Sequence, residues 1–301
     1  MDHVRALNVF NAVAASASFS GAARALRMSP PSVTRIVGEL EEHLGTPLFN
    51  RTTRQVALTE TGVIYLEYAR RIIEDLQTAD DLARGDNVKP TGTLRLTASA
   101  MFGRLHVVPI IAEYVERYPD VRVEAVFVDR VVNIIEEGID IAVRIGQLPD
   151  SSLKARKVNS IHQVVCGSPG YFEQHGIPKH PKDLSQHNII GIGFRGESYK
   201  WDFDKGISAK VSPRISFSTI APCLEAAKSG WGIARFLSYQ IGKEVASKEL
   251  QTVLSTYSTA TRPIHLVHAE GRLRSAKVKT FVEMAAARLK SNEAISSNNN
   301  S

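Results

Sequence analysis

Two short helical patterns around a tight turn, followed at once by a hairpin with an arginine-bearing tip, constrain the start of this chain more than any other feature. The second pattern opens at Ser29, whose hydroxyl can accept from the free N–H groups of the following turn. Pro30 and Pro31 follow, and a proline in the first helical turn has no N–H to leave unsatisfied. Val33, Ile36, Val37, Leu40 and Leu44 share one stripe at helical spacing, and Gly45 ends the helix as a left-handed residue. The first pattern runs from Gly21 to Arg27 with Ser20 as its expected N-cap, and Ala22, Ala23 and Ala25 are small enough for close helix packing. Met28 and Ser29 form the turn, and a helix from about Asp2 to Ala15 precedes both, with Val4, Leu7, Phe10 and Ala14 on one face.

Two helices joined in this way form a helix-turn-helix. Pro30, Pro31, Ser32, Thr34 and Arg35 lie at the N-terminal end of the second helix and off its apolar stripe, the end that enters the major groove in DNA-binding versions. Arg35 can read a guanine edge or pair with a phosphate. Ser20, Ser29, Ser32 and Thr34 offer short hydroxyls. Taken alone, the same pattern also fits a three-helix core with a solvated polar face. The next residues favour the first reading. Thr46–Phe49 and Val56–Leu58 read as two short strands, and between them Asn50–Gln55 holds Arg51, Thr52, Thr53 and Arg54 and no acid. Such a wing can follow the phosphate backbone or place an arginine in the minor groove.

Ala22-Ala23-Arg24-Ala25-Leu26, Ser29-Pro30-Pro31-Ser32-Val33-Thr34-Arg35, Leu40 to Arg51 and Leu58-Thr59-Glu60-Thr61-Gly62 together resemble the N-terminal signature of LysR-type transcriptional regulators. The resemblance spans nearly all of residues 1–62. That family often has Gln where Pro30 stands and Ser where Thr34 stands. The first departure leaves no hydrogen-bonding side chain for a base contact at position 30, and the Thr34 hydroxyl keeps the chemistry of the second.

Thr59 is the expected cap of a long helix from Glu60 to about Arg84. Tyr65, Ala69, Ile72, Leu76, Ala79 and Ala83 alternate at four and three, a heptad seam. A helix this long with little local sequence to pack on is expected to pair with a second copy, and the resemblance implies the same. A dimer sets two recognition helices on a pseudo-palindromic site.

Residues 85–92 are rich in turn formers and read as a hinge. Beyond it strands and helices alternate: Thr93–Thr97, Phe102–Arg117, Val121–Val128, a helix over Val131–Glu137 ended by Gly138, and Ile139–Ile145. Gln163–Cys166, Tyr171–Gln174, Asn188–Ile192, Ala221–Lys228 and Trp231–Phe236 give a second unit, closed by a strand at Pro263–His268 and a helix at Lys277–Leu289. The Ser/Asn-rich tail from about Ser291 is expected to be disordered. Two open α/β lobes imply a cleft with ligands at strand carboxyl ends. Ser99, Ala100, Met101 and Phe102 follow the first strand, Arg144 and Gly146 end another, Thr219 precedes a helix, and Cys166 reaches the cleft from the second lobe. Ser99 and Thr219 also read simply as N-caps, and Arg144 as a surface charge. The resemblance implies a two-lobed domain like that of periplasmic solute-binding proteins and singles out Ser99, Ala100, Met101, Gly146 and Thr219.

The net charge of +6 is not concentrated where DNA binding is expected: residues 1–62 carry +1, residues 63–89 carry −2, and residues 90–301 carry +7. The last value points to an anionic small molecule. The two cysteines, Cys166 and Cys223, exclude a disulfide-dense scaffold. Asn8 and Asn11 interrupt the apolar start that a signal peptide needs, so the expected compartment is the cytoplasm. Gly191-Ile192-Gly193-Phe194-Arg195-Gly196 spells a dinucleotide motif, but Tyr199 to Gly206 reads as strand and turn where the mechanism needs a helix. Ser151-Ser152-Leu153-Lys154 lacks its partner motifs, and the histidines lack metal-site spacing.

The sequence is therefore read as an α/β chain with a winged helix-turn-helix at residues 1–59, a linker helix and hinge at 60–88, and a two-lobed effector domain at 89–301. The expected function is ligand-modulated, sequence-specific DNA binding without enzymatic activity. No cofactor, metal or membrane is expected. The expected partners are double-stranded DNA, a small-molecule effector, further copies as dimer or tetramer, and RNA polymerase. An α/β solute receptor or enzyme with an incidental helical N-terminus is the alternative.

Overall fold

The computed structural model describes residues 1–51, 56–84, 89–149, 152–193, 196–257, 261–292 and Ile295. It divides into two compact units, Met1–Val88 and Lys89–Ser301.

In the first unit, α1 (His3–Ser16) is capped by Asp2, whose carboxylate accepts from the Arg5 N–H. Helix α2 (Phe19–Leu26) is capped by Ser18, not by Ser20, which lies exposed in the first turn. The earlier cap brings Phe19 into the helix and sets its ring edge-on to Phe49 at 5.8 Å. Arg27 turns the chain at φ 53°. Helix α3 (Pro30–Leu44) has Ser29 as N-cap and ends at Gly45, φ 66°. Val33, Ile36, Val37 and Leu40 are buried, and Phe10 lies between Phe49 and Tyr65 at ring distances of 5.3 and 5.4 Å.

Strand β1 (Phe49–Arg51) pairs antiparallel with β2 (Val56–Leu58). The expected strand at Thr46–Phe49 begins later because the Leu48 and Phe49 N–H groups both donate to the Glu41 carboxylate, at 2.8 and 3.0 Å. Thr52, Thr53, Arg54 and the Arg51 side chain lie outside the described residues.

Helix α4 (Glu60–Arg84) starts at Thr59, whose hydroxyl accepts from the Gly62 N–H and donates to the Pro47 carbonyl. Gly62 is required there: a Cβ would stand 2.1 Å from the Leu48 carbonyl oxygen. That close approach fixes which face of α4 turns inward. Ala69 is fully buried and Tyr65 half-buried against the domain's own core, with Leu66 and Ile73 beside them. The expected seam is thus divided. Tyr65 and Ala69 are intradomain contacts, whereas Ile72 and Leu76 are 53% and 40% exposed, and Ala79 is exposed. Ile64 and Tyr68 extend this outer apolar stripe.

The second unit begins with β3 (Gly92–Ala98) and α5 (Ala100–Phe102), which runs through a π turn at Gly103–Val107 into α6 (Val108–Arg117). The turn widens just before Pro109, which has no N–H to continue the ladder. Strands β4 (Val121–Phe127), β5 (Ile141–Ile145) and β6 (Lys154–Ile161) follow. The expected helix at Val131–Glu137 is a single turn. The Asn133 side chain accepts from the Ile135 and Glu136 N–H groups, and Glu137 accepts from the Asn133 N–H and pairs with Arg130, so local polar bonds close the turn instead of propagating it.

The chain then crosses to the second lobe: β7 (Gln163–Gly167), α7 (Pro169–His175), β8 (Ile190–Ile192), β9 (Tyr199–Asp202), β10 (Ser208–Val211), β11 (Ile215–Phe217), α8 (Ile220–Lys228), β12 (Ala234–Leu237), α9 (Gly242–Ala246) and β13 (Gln251–Val253). It returns through β14 (Arg262–His268) and α10 (Ala276–Lys290). The first lobe is one mixed sheet, β4-β3-β5-β14-β6, parallel across β4-β3-β5 and antiparallel at β14 and β6. The second lobe holds an antiparallel β12-β7-β13 sheet, a parallel β11-β8 pair and a β9-β10 hairpin. Buried Lys277 pins α10 to β3, its ammonium donating to the Thr93 carbonyl at 2.6 Å. The expected disorder from Ser291 does not hold for Asn292 and Ile295. Ile295 is buried in the first-lobe core, and the Asn292 amide nitrogen lies 3.2 Å from His106 Nδ1. The rest of the tail lies outside the described residues.

Burial holds the pKa of four histidines in this unit, His106, His162, His187 and His265, below the ordinary value of 6.5. The folded state therefore binds fewer protons than the unfolded state once the pH falls below 6.5. Stability present above that value is lost as the pH drops toward the folded pKa values. Thermal melts are expected to move to lower midpoints between about pH 7.5 and about pH 5.5; an unchanged or rising midpoint contradicts this.

Candidate nucleic-acid interface and ligand cavity

Helix α3 presents two faces of opposite character. Its inner stripe is buried from Val33 to Leu40 and half-buried at Leu44, and Pro30, Pro31, Thr34 and Arg35 stand exposed on the other side, with Ser32 half-buried. The hydroxyls are locally organised: Ser29 and Ser32 share a hydrogen bond of 2.8 Å, the Ser29 hydroxyl also accepts from the Ser32 N–H, and Thr34 donates to the Pro30 carbonyl. These bonds leave oxygen lone pairs and reorientable hydroxyls at the surface. Arg35 is 64% exposed and paired with Glu39 one turn along. An exposed pair of this kind is worth little, so a phosphate or base edge can replace Glu39 at small cost. Arg24 and Arg27 are exposed on α2 and the turn.

Gly38 lies one turn beyond Thr34, and a Cβ there would touch nothing. A helix-interior glycine costs about 0.5–1 kcal/mol relative to alanine. Gly38→Ala is expected to raise stability by about that amount in chemical denaturation; a loss of stability would show that this face is covered.

The residues expected at the effector site do not all converge. Phe102 and Cys166 are completely buried, one in the first-lobe core and the other in the second, and neither faces a cleft. Burial pushes the Cys166 thiol up to about 12. Ala100 is not a free anion site, because its N–H already donates to the Asp129 carboxylate at 3.0 Å. Arg144 is held within its own lobe by a 2.6 Å bond to the Val132 carbonyl. Gly146 adopts φ 112° and donates its N–H to the Pro263 carbonyl. Thr219 is exposed at the start of α8 and makes no side-chain cap. Met101 is half-buried and packs against the cores of both lobes. Ser99, beside the Tyr239 hydroxyl, has a buried oxygen without a well-formed hydrogen bond.

A cavity of about 180 Å³ opens instead among β7, β8, β9, β12 and β14. Ile190, Ile192, Ile220, Phe236 and Leu237 form its apolar wall, Tyr199 and Trp201 add aromatic rings, and Gln163, Gln240, Arg235 and Arg262 supply polar groups. No carboxylate is among its described lining residues. The Arg235 guanidinium lies 5.0 Å over the Trp201 ring and donates to the Asp202 carbonyl at 3.1 Å. This cavity meets the expected set at its margin: Ile220 follows Thr219, Gln240 donates to the Tyr239 hydroxyl beside Ser99, a Cβ at Gly146 would stand 4.0 Å from the Arg262 guanidinium, and Met101 packs on the cluster that holds Ile190 and Phe236. Period-two alternation puts Tyr199 and Trp201 on one face of a strand, a signal readable in the sequence; the convergence of Arg235 and Arg262 on that face was not.

Comparison with known proteins agrees with this architecture. Residues 4–63 match the bacterial regulatory helix-turn-helix protein, lysR family, and residues 88–290 match the LysR substrate binding domain. The chain is 31% identical over 285 residues to the HTH-type transcriptional activator AaeR of Escherichia coli K12, covering 94% of this chain and 92% of that protein. It is 34% identical over 290 residues to the HTH-type transcriptional regulator CrgA of Neisseria meningitidis serogroup C, covering 95% and 97%. The solved structure of CrgA, a LysR-type transcriptional regulator, superposes with a TM-score of 0.62 at 32% identity, over 95% of this chain and 98% of that one. The chain belongs to the LysR family: it is a DNA-binding transcriptional regulator with a C-terminal effector-binding domain.

Proposed function

We propose that two copies of this chain, alone or within a tetramer, bind a pseudo-palindromic operator. Each copy inserts the N-terminal turn of α3 into a major groove, and the Arg51–Arg54 segment lies against the flanking backbone. The observation that carries this is the exposed polar turn at Pro30, Pro31, Thr34 and Arg35 on a helix whose opposite face buries Val33, Ile36, Val37 and Leu40. The outer stripe of α4 joins the copies. A small molecule held by the second unit alters DNA binding or promoter activity, with RNA polymerase as the downstream partner. The protein acts in the cytoplasm and carries no catalytic step of its own; among the described residues no helix is long and apolar enough to cross a membrane.

Selection of bound fragments from random duplex DNA by the full chain tests the DNA part. Enrichment of a motif with dyad symmetry supports it. No enrichment, or a motif without symmetry, removes it.

A further inference from the structure

We propose that the cavity among β7, β8, β9, β12 and β14 binds a small monocarboxylate with an apolar body, and that Arg262, assisted by Gln163, holds the carboxylate. This rests on the reading of the second unit as the small-molecule domain and specifies the chemistry that it recognises.

The polarity of the lining excludes most alternatives. Five aliphatic or aromatic side chains form one wall, and among the described lining residues the charged groups are two guanidiniums, with no carboxylate. A cation has no complement there, and a polyol, though Gln163, Gln240 and Tyr199 could hydrogen-bond it, would leave both guanidinium charges unanswered. An anion answers them, because potentials across an interface tend to be complementary. The volume, about 180 Å³, is below the roughly 300–1,000 Å³ of a drug-sized site. The cavity opens to solvent, so this volume sets the size of the inserted part of a ligand, roughly a benzene ring, and not of the whole molecule.

The two arginines have different parts. Arg235 is already committed to the Trp201 face and to the Asp202 carbonyl, so it lends charge as part of the wall. Arg262 makes one long hydrogen bond, 3.5 Å to the Gln163 side-chain oxygen, and among the described residues it has no carboxylate partner. Arg130 and Arg288 show what an arginine of this chain does when a carboxylate is within reach: each grips a glutamate through two short bonds. A ligand carboxylate offers Arg262 the same fork-to-fork geometry.

Position adds a consequence. Gln163 opens β7 and Arg262 opens β14, the strands that begin where the chain enters the second lobe and where it returns to the first. A carboxylate bonded to both spans the two crossings. Ligand binding there acts on the arrangement of the lobes directly. The other anion position suggested by the sequence, the N-terminus at Ala100, is already occupied by Asp129.

The test uses calorimetry on the full chain with benzoate and hexanoate as probes and benzamide and hexanamide as their neutral counterparts. Both carboxylates are expected to bind, each at least about tenfold more tightly than its amide. Arg262→Gln is expected to remove that tenfold preference and Arg262→Lys to restore part of it. Arg156→Gln, on the exposed edge of β6, serves as the control and leaves it unchanged. Equal affinity for carboxylate and amide, no binding of either carboxylate, or full preference retained in Arg262→Gln each overturns the assignment. If Arg262→Gln fails to fold, the carboxylate-to-amide ratio of the wild-type chain decides alone. DNA binding by the same preparation separates the two levels. Retained DNA binding without carboxylate preference sinks the cavity assignment only. A different metabolite that raises the melting temperature of wild type and Arg262→Gln alike keeps the effector domain and rejects its carboxylate chemistry.

Discussion

Ile72→Glu leaves the protein monomeric in solution and lowers its operator affinity by about 100-fold or more. Ile72 is 53% exposed on the outer stripe of α4, in line with Ile64, Tyr68 and Leu76. Among the described residues nothing in its own unit covers this stripe of a 25-residue helix. In the proposed dimer a second copy buries it, and a carboxylate placed there would be desolvated without a partner, at a cost of several kcal/mol. The loss in DNA affinity follows from linkage. A second half-site bound by a tethered copy can multiply affinity by about 10²–10⁴, and a monomer forfeits that factor. The variant folds, because Leu66, Ala69 and Ile73 hold α4 to its own domain from the other side. Leu76→Glu is expected to behave alike. Sedimentation and operator titration check both; a dimer with unchanged affinity rules this stripe out as the interface.

Arg35→Ala carries the second large effect, a loss of about 1–3 kcal/mol of operator binding with relaxed preference at one position per half-site. Arg35 is the long, permanently charged side chain on the exposed N-terminal half of α3, and it leaves the buried stripe untouched. Its internal partner Glu39 sits one turn away on the same exposed side. Exchanging that solvent-screened pair for a guanine edge replaces a weak contact with a bidentate one. Pro30 offers no competing hydrogen-bonding side chain at the start of the helix, which concentrates readout on Arg35. If Arg35 only clamps a phosphate, all sequences weaken alike and the salt slope falls by about one unit.

How much of this was legible in the sequence depended on how local the deciding interaction is. Helix α3 was readable from end to end: the Ser29 cap, the prolines, the stripe and Gly45 all lie within the helix or next to it. The cap of α2 was not. Ser18 and Ser20 are equally good caps by type, and a contact with Phe49, thirty residues away in the chain, selects Ser18. The spacing in α4 gave the helix, Glu60–Arg84, but not which stripe meets the domain. The approach of Gly62 to the Leu48 carbonyl turns Tyr65 and Ala69 inward and leaves Ile72 and Leu76 out.

The ligand site shows the same division more sharply. The strand-end rule pointed to Ser99, Ala100 and Thr219, and these do lie at strand or helix ends. It could not show that Asp129 caps Ala100 or that Phe102 and Cys166 point into cores. The cavity is assembled from segments between Gln163 and Arg262, including β8 and β12, which the sequence suggested as strands, and β9, where it suggested only strand and turn. Their convergence is a property of the fold.

Binding of wild type and Arg35→Ala to a panel of single-base operator variants, at two salt concentrations, tests most directly whether α3 reads DNA sequence through its N-terminal turn. The expected result is a wild-type preference that Arg35→Ala flattens at one symmetric pair of positions, with the salt slope unchanged. Wild-type affinity and preference in Arg35→Ala at both salt concentrations would contradict it, because the contact surface would then lie elsewhere on the protein.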